Sequence, residues 1–195
     1  MRLFTLNVEQ HEAENSYLIA PDDAGDAILV DPTSFTVSML RTVEDNRLYI
    51  RSILLTHPRE LRMSGIGTIL KVYDATLYAT YPNIHGYPTS RVQGNDTLDL
   101  SGFQVKVVPL EEYSRHAVMF SVSSFLFCGP AISAGIVAEN GTQIERMLLA
   151  EALRKQFKQL SPTTLLFPLH GPPSTVEAEL TLNRDLSDPS DGDVL

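Results

Sequence analysis

The sequence predicts an α/β fold with two similar halves, each carrying strands first and helices after. Two observations predict it. Residues 27–81 read strand, helix, strand, helix, strand, which is the order of a crossover sheet. Residues 97–128 then read as a second run of strands, and residues 142–186 as helix, strand, helix.

In the first half, residues 3–8 and 15–20 are short apolar segments on either side of a polar stretch, and read as adjacent strands. Residues 21–25, Pro-Asp-Asp-Ala-Gly, are a turn by composition. Residues 27–31 form a third strand ending on Asp31-Pro32. Ser34 or Thr36 then caps a helix with Val37, Leu40 and Val43 at helical spacing. Residues 50–56 are an apolar run bounded by turn residues, which suits a central strand covered on both faces. Ile66, Ile69, Leu70 and Tyr73 place a helix over 63–73, with Gly65 and Gly67 allowing close packing. The β-forming residues 75–81 make the next strand, and Tyr73, Tyr78, Tyr81 and Tyr87 are expected to pack helix and loop onto the sheet. Residues 82–93, with two prolines and a glycine, read as loop.

In the second half, residues 97–100, 103–108, 118–122 and 125–128 read as strands, with Ser123-Ser124 as a tight hairpin turn. Thr142-x-x-Glu145 is a capping box opening a helix to about residue 160, with Ile144, Leu148, Leu149 and Leu153 on one face. Ser161-Pro162 stops it. Residues 163–167 are a buried strand running into Pro168-Leu-His170-Gly-Pro-Pro. Ser174-x-x-Glu177 is a second capping box, for a helix to about residue 186. Residues 1–186 are expected to form a single domain, followed by an acidic, flexible tail over 187–195.

Composition narrows the function classes. A net charge of −9 argues against a nucleic-acid backbone or an anionic membrane as partner. Residues 1–10 lack the apolar core of a signal peptide, and no run approaches the roughly 18 apolar residues of a spanning helix, so a soluble, cytoplasmic protein is expected. The single Cys128 excludes an intramolecular disulfide and a cysteine zinc cage, and its apolar strand marks it as an inert core thiol. His11 and His85 lie in polar stretches and are expected at the surface.

Functional groups in α/β folds gather where central strands end. Strand 50–56 runs into Thr56-His57-Pro-Arg59-Glu60-Leu61-Arg62, which puts a histidine, a glutamate and two arginines in one turn. His170-Gly-Pro-Pro ends a second buried strand. With Asn15-Ser-Tyr-Leu-Ile, Ile28-Leu-Val-Asp31-Pro, Gly94-Asn-Asp-Thr-Leu-Asp-Leu-Ser-Gly-Phe, Phe125-Leu-Phe-Cys-Gly129 and Glu177-x5-Asn183, these segments resemble, in order and spacing over about residues 2–186, the metallo-β-lactamase fold, and within it the hydroxyacylglutathione hydrolase (glyoxalase II) branch. The resemblance implies an αββα four-layer sandwich with a pocket at one edge of two facing sheets. It also implies a pair of metal ions, usually zinc, held by a His-x-His-x-Asp-His motif, a further His, a bridging Asp and a final His. Such ions acidify a bridging water to make hydroxide near neutral pH.

Residue by residue, little of that ligand set is retained. His57 occupies the first motif position and His170 the last. Arg59 stands at the second His, Leu61 at the Asp and Arg62 at the third His. Tyr113 falls at the next ligand position and Pro130 at the bridging Asp. The two retained histidines would serve different metals. Catalytic zinc needs about three protein ligands, and arginine stays protonated and cannot coordinate.

The expectation is therefore a degenerate, non-catalytic member without the dinuclear centre, binding a small anionic ligand or a protein partner. The ligand-binding candidates are His57, Arg59, Glu60, Arg62, Tyr113 and His170, with guanidinium forks replacing the charge of the ions. Against that pocket stands closure by salt bridges from Arg59 and Arg62 to Glu60, Glu111 or Glu112. No cofactor is expected. The alternative is a residual thioesterase-like hydrolase with one zinc held by His57, His170 and a carboxylate such as Glu60 or Glu112, joined by His116.

Overall fold

The structure is a computed structural model that describes residues 1–7, 14–57, 65–137 and 141–186. The first half contributes β1 (Arg2–Asn7), β2 (Asn15–Ala20), β3 (Gly25–Val30), α1 (Val37–Asp45), β4 (Leu48–Leu54), α2 (Ile66–Tyr73) and β5 (Thr76–Ala79), then the short β6 (Asn83–Ile84), β7 (Tyr87–Pro88) and β8 (Ser90–Arg91). The second contributes β9 (Thr97–Leu100), β10 (Phe103–Pro109), β11 (Val118–Val122), β12 (Phe125–Gly129), β13 (Ile132–Ser133), β14 (Ile136–Val137), α3 (Gln143–Phe157), β15 (Leu165–Pro168), β16 (Ser174–Thr175) and α4 (Val176–Leu182).

Two six-stranded sheets result, ordered β1-β2-β3-β4-β5-β8 and β16-β15-β12-β11-β10-β9. Parallel pairing of β3, β4 and β5 leaves α1 and α2 as the crossovers, and in the second sheet β12 and β15 pair in parallel through α3. Three apolar clusters separate the layers. Met39, Val43, Ile66, Ile69 and Tyr73 cover the outer face of the first sheet. Leu149, Leu153, Phe157 and Val176 cover that of the second. Tyr17, Ile28, Leu54, Val107, Phe120, Phe127 and Phe167 interdigitate between the sheets. The fold is an αββα sandwich whose inner strands are apolar on both faces, as such a double-covered sheet requires.

Four sequence expectations need correction. Helix α1 is capped by Thr36, whose Oγ1 accepts from Met39 N at 3.1 Å, but Val37 is 67% exposed and Met39 with Val43 forms the buried face. The capping box of Thr142 and Glu145 is present on α3, yet Ile144 is 70% exposed and Leu148 37%, because Ala150 and Ala152 let the helix lie close to the sheet on the adjacent face. Helix α4 takes its cap from Thr175 rather than Ser174, and ends at Leu182. The stretch 82–93, expected as loop, holds β6 to β8, and β13–β14 is a hairpin whose two-residue strands are too short to show a period. Gly65 and Gly67 do mark close approaches: a Cβ on either would stand 2.2 Å from Phe35 N and Tyr87 Oη respectively. No helix among the described residues is long and apolar enough to cross a membrane.

Candidate functional site

Five strand ends converge at one edge of the sandwich. β3 ends on Asp31, which adopts φ +46 ahead of Pro32. That turn aims its carboxylate at the end of β4, where Oδ1 accepts from Thr56 N at 2.9 Å and Oδ2 from Thr56 Oγ1 at 2.8 Å. Burial, offset in part by these two bonds, pushes the Asp31 carboxyl up to about 7. The Asp31 carbonyl accepts from Ser16 Oγ at 2.8 Å, which ties β2 to the same corner.

The second sheet closes on this corner through glycine. Gly129, at the end of β12, has φ +56 and no room for a side chain: a Cβ there would lie 2.0 Å from Thr56 Oγ1 and 3.1 Å from His57 Nδ1. Leu169 N donates to Gly129 O at 2.8 Å and Asn15 N to Leu169 O at 2.7 Å, so the ends of β12, β15 and β2 are laced together. Asn15 Nδ2 donates to Pro168 O and Gly171 O at 3.1 and 2.8 Å, and Tyr17 Oη to Pro168 O at 2.6 Å. Those bonds fix the loop that carries His170.

His57 is 6% exposed, and its Nδ1 meets no hydrogen-bond partner among the described residues. Burial pushes its pKa down to about 4, so the ring is neutral at physiological pH. His170 is exposed, forms a β-bridge with Glu14 and accepts from Ser133 Oγ through its carbonyl at 2.9 Å.

The other sequence candidates fall elsewhere. Arg59, Glu60 and Arg62 lie outside the described residues, as does His11. Tyr113 packs, partly buried, against the apolar cluster under α3. Glu112 pairs with Lys155 of α3, and that hydrogen bond holds its carboxyl below the usual carboxylate range. The pair uses Oε1 and draws Glu112 towards α3. His116 stacks on Tyr81 with centroids 4.3 Å apart, and its carbonyl accepts from Thr80 Oγ1 at 2.9 Å. Cys128 is buried, and burial raises its thiol pKa, in keeping with an inert core position. His85 is exposed.

Sequence reasoning missed the buried Asp31–Thr56 pair and the Gly129 contact. The available signal was an acidic residue ending an apolar strand just before a proline.

The residues do not fit a dinuclear centre of the implied kind. Arg59, Leu61, Arg62 and Pro130 carry no metal-binding group. Asp31 gives both oxygens to Thr56. Among the described residues no cluster of three or more His, Cys, Asp or Glu side chains could hold a metal ion.

No family model matches the chain. An uncharacterized protein of Treponema pallidum is 25% identical over 175 residues, covering 90% of this chain and 94% of the relative. A hydroxyacylglutathione hydrolase of Haemophilus ducreyi is 26% identical over 162 residues, and the match spans 80% of this chain but 66% of that protein. The crystal structure of a metallo-β-lactamase from Staphylococcus aureus superposes with a TM-score of 0.84 at 21% identity, over 97% of this chain and 64% of that one. The layered architecture, the converging strand ends and these matches together identify the chain as a protein of the metallo-β-lactamase fold with hydroxyacylglutathione hydrolases among its sequence relatives.

Proposed function

We propose that this protein binds a small anion, a phosphate or carboxylate, at the edge where β4, β12 and β15 end, and does not hydrolyse it through a metal centre. One observation carries the reading. In the sequence that follows β4, Arg59 and Arg62 stand at positions where the resemblance puts metal-binding histidines, two and five residues after a His57 that burial keeps neutral. Guanidinium stays charged at any physiological pH and offers planar forked donors, so it supplies the positive charge that ions would otherwise supply. Guanidinium donors recognise an anion without activating water, which is the part a metal ion would play.

The buried His57 Nδ1, which has no hydrogen-bond partner among the described residues, favours a second reading, a hydrolase with one metal. Among the described residues no three such ligands converge, and Glu112 pairs with Lys155 through Oε1.

Calorimetric titration of the full chain with inorganic phosphate and with citrate tests the first reading. Saturable binding of either supports it. Absence of binding at millimolar anion, together with metal-dependent thioester hydrolysis, would replace it with the second.

A further inference from the structure

The hairpin between β12 and α3 belongs to neither sheet. Strands β13 and β14 pair with each other, Ile132 with Val137 and Ser133 with Ile136, around Gly135 at φ +82. Two carboxylates reach the hairpin from the last helix and the turn after it. Glu179 of α4 is 2% exposed, and both its oxygens accept from Gly135 N, at 3.1 and 3.2 Å. Its Oε2 also accepts from Asn183 Nδ2 at 2.8 Å. Asp185 accepts from Val137 N at 3.2 Å and pairs with Arg146 at the same distance.

A buried carboxylate is costly unless its lone pairs are matched. The described donors to Glu179 are a backbone N–H and an amide, both neutral. Helix α4 therefore commits a buried acid to fixing one hairpin turn.

The far side of the hairpin grips the loop after β15. Ser133 Oγ donates to His170 O at 2.9 Å. Gly171, at φ +80, lies so close that a Cβ there would stand 2.5 Å from the same hydroxyl. A continuous line of contacts thus runs from Glu179 through the hairpin to His170.

We infer that Glu179 and Ser133 are positioning residues for His170: the hairpin is a strap that sets where this side chain stands at the candidate site. The line of contacts is independent of what the site binds, whereas an effect on anion affinity rests on the function proposed above.

The test uses the full chain with Ser133→Ala, Ser133→Thr and Glu179→Ala. The readouts are the His170 ring resonance, assigned by its loss in His170→Gln, and the affinity for inorganic phosphate. Ser133→Ala and Glu179→Ala should each shift the His170 resonance and weaken phosphate about two- to tenfold, the scale of one neutral hydrogen bond. Ser133→Thr, which keeps the hydroxyl, should restore both, and the exposed His85 resonance should stay in place throughout. A folded Ser133→Ala with an unmoved His170 resonance overturns the inference, and so does failure of Ser133→Thr to restore it. Should Glu179→Ala fail to fold, the serine pair decides. If wild-type protein binds no phosphate while the His170 resonance still moves, the strap stands and the anion reading falls.

Discussion

Thr56 takes both carboxylate oxygens of Asp31, one with its backbone N–H at 2.9 Å and the other with its hydroxyl at 2.8 Å. The pair joins the ends of two parallel strands beneath His57. Removing it leaves a buried N–H without an acceptor, so Asp31→Ala should cost about 1–3 kcal/mol. Asp31→Asn keeps an oxygen for the N–H and an amide donor for the hydroxyl, and should be far milder. Urea unfolding at pH 8 that found the two variants equally damaged would contradict this geometry.

The same pair predicts a pH dependence. The folded pKa of Asp31, about 7, lies above its ordinary value of 3.8, so between those values the folded state holds more protons than the unfolded one. Ionisation then costs stability as pH rises from about 4 through 7. Asp31→Asn abolishes that loss, so the variant should gain on wild type as pH increases. A constant difference between the two urea midpoints across that range would refute the assignment.

His57 acts in the opposite direction. Its folded pKa, about 4, lies below the ordinary histidine value of 6.5, so the unfolded state binds more protons in that window and stability falls as pH drops through it. In wild type the two slopes oppose each other between about 4 and 6.5. In an Asp31→Asn background the acid loss should emerge, and adding His57→Gln should flatten it. Urea midpoints from pH 7 to 4.5 measure both, and equal slopes with and without His57 would exclude a buried neutral ring.

Gly129 predicts a steric effect. An alanine there combines a left-handed backbone with a Cβ 2.0 Å from Thr56 Oγ1. Gly129→Ala should cost at least ~2 kcal/mol, which lowers the melting temperature of a chain this size by roughly 4–8 °C. A wild-type melting curve would show that the sheets do not meet at this residue.

Metal content follows from the ligand chemistry. Protein purified without chelators should carry less than about a tenth of an equivalent of zinc, iron or manganese, because among the described residues no three coordinating groups converge to hold an ion tightly. Elemental analysis checks this, and a full equivalent would favour the one-metal hydrolase.

The layers were legible because long apolar strands and capped helices announce themselves locally. Thr142 and Glu145 sit three residues apart, and their reciprocal cap is a short-range device. The face of α3 was not legible in the same way. Large apolar residues fall on two faces of that helix, and the buried one is defined partly by Ala150 and Ala152, whose small volume matters only against a neighbouring sheet. The site was legible as chemistry but not as geometry. Thr56 and Asp31 are separated by 25 residues, and Thr56 meets Gly129 across the gap between the sheets, so neither contact leaves a periodic trace. Tyr113 looked like a site residue by alignment and Glu112 like an available carboxylate; in the structure Tyr113 packs on the second outer core and Glu112 pairs with Lys155 of α3.

The most direct test of the central claim compares phosphate affinity by calorimetry for wild type and the Arg59→Ala/Arg62→Ala double variant. Charge-assisted hydrogen bonds contribute about 1.5–3 kcal/mol each, so losing both guanidinium groups should weaken binding at least about tenfold while the melting curve stays cooperative. Equal affinity in the two proteins would contradict the account, because the anion would then be held by something other than the turn after β4.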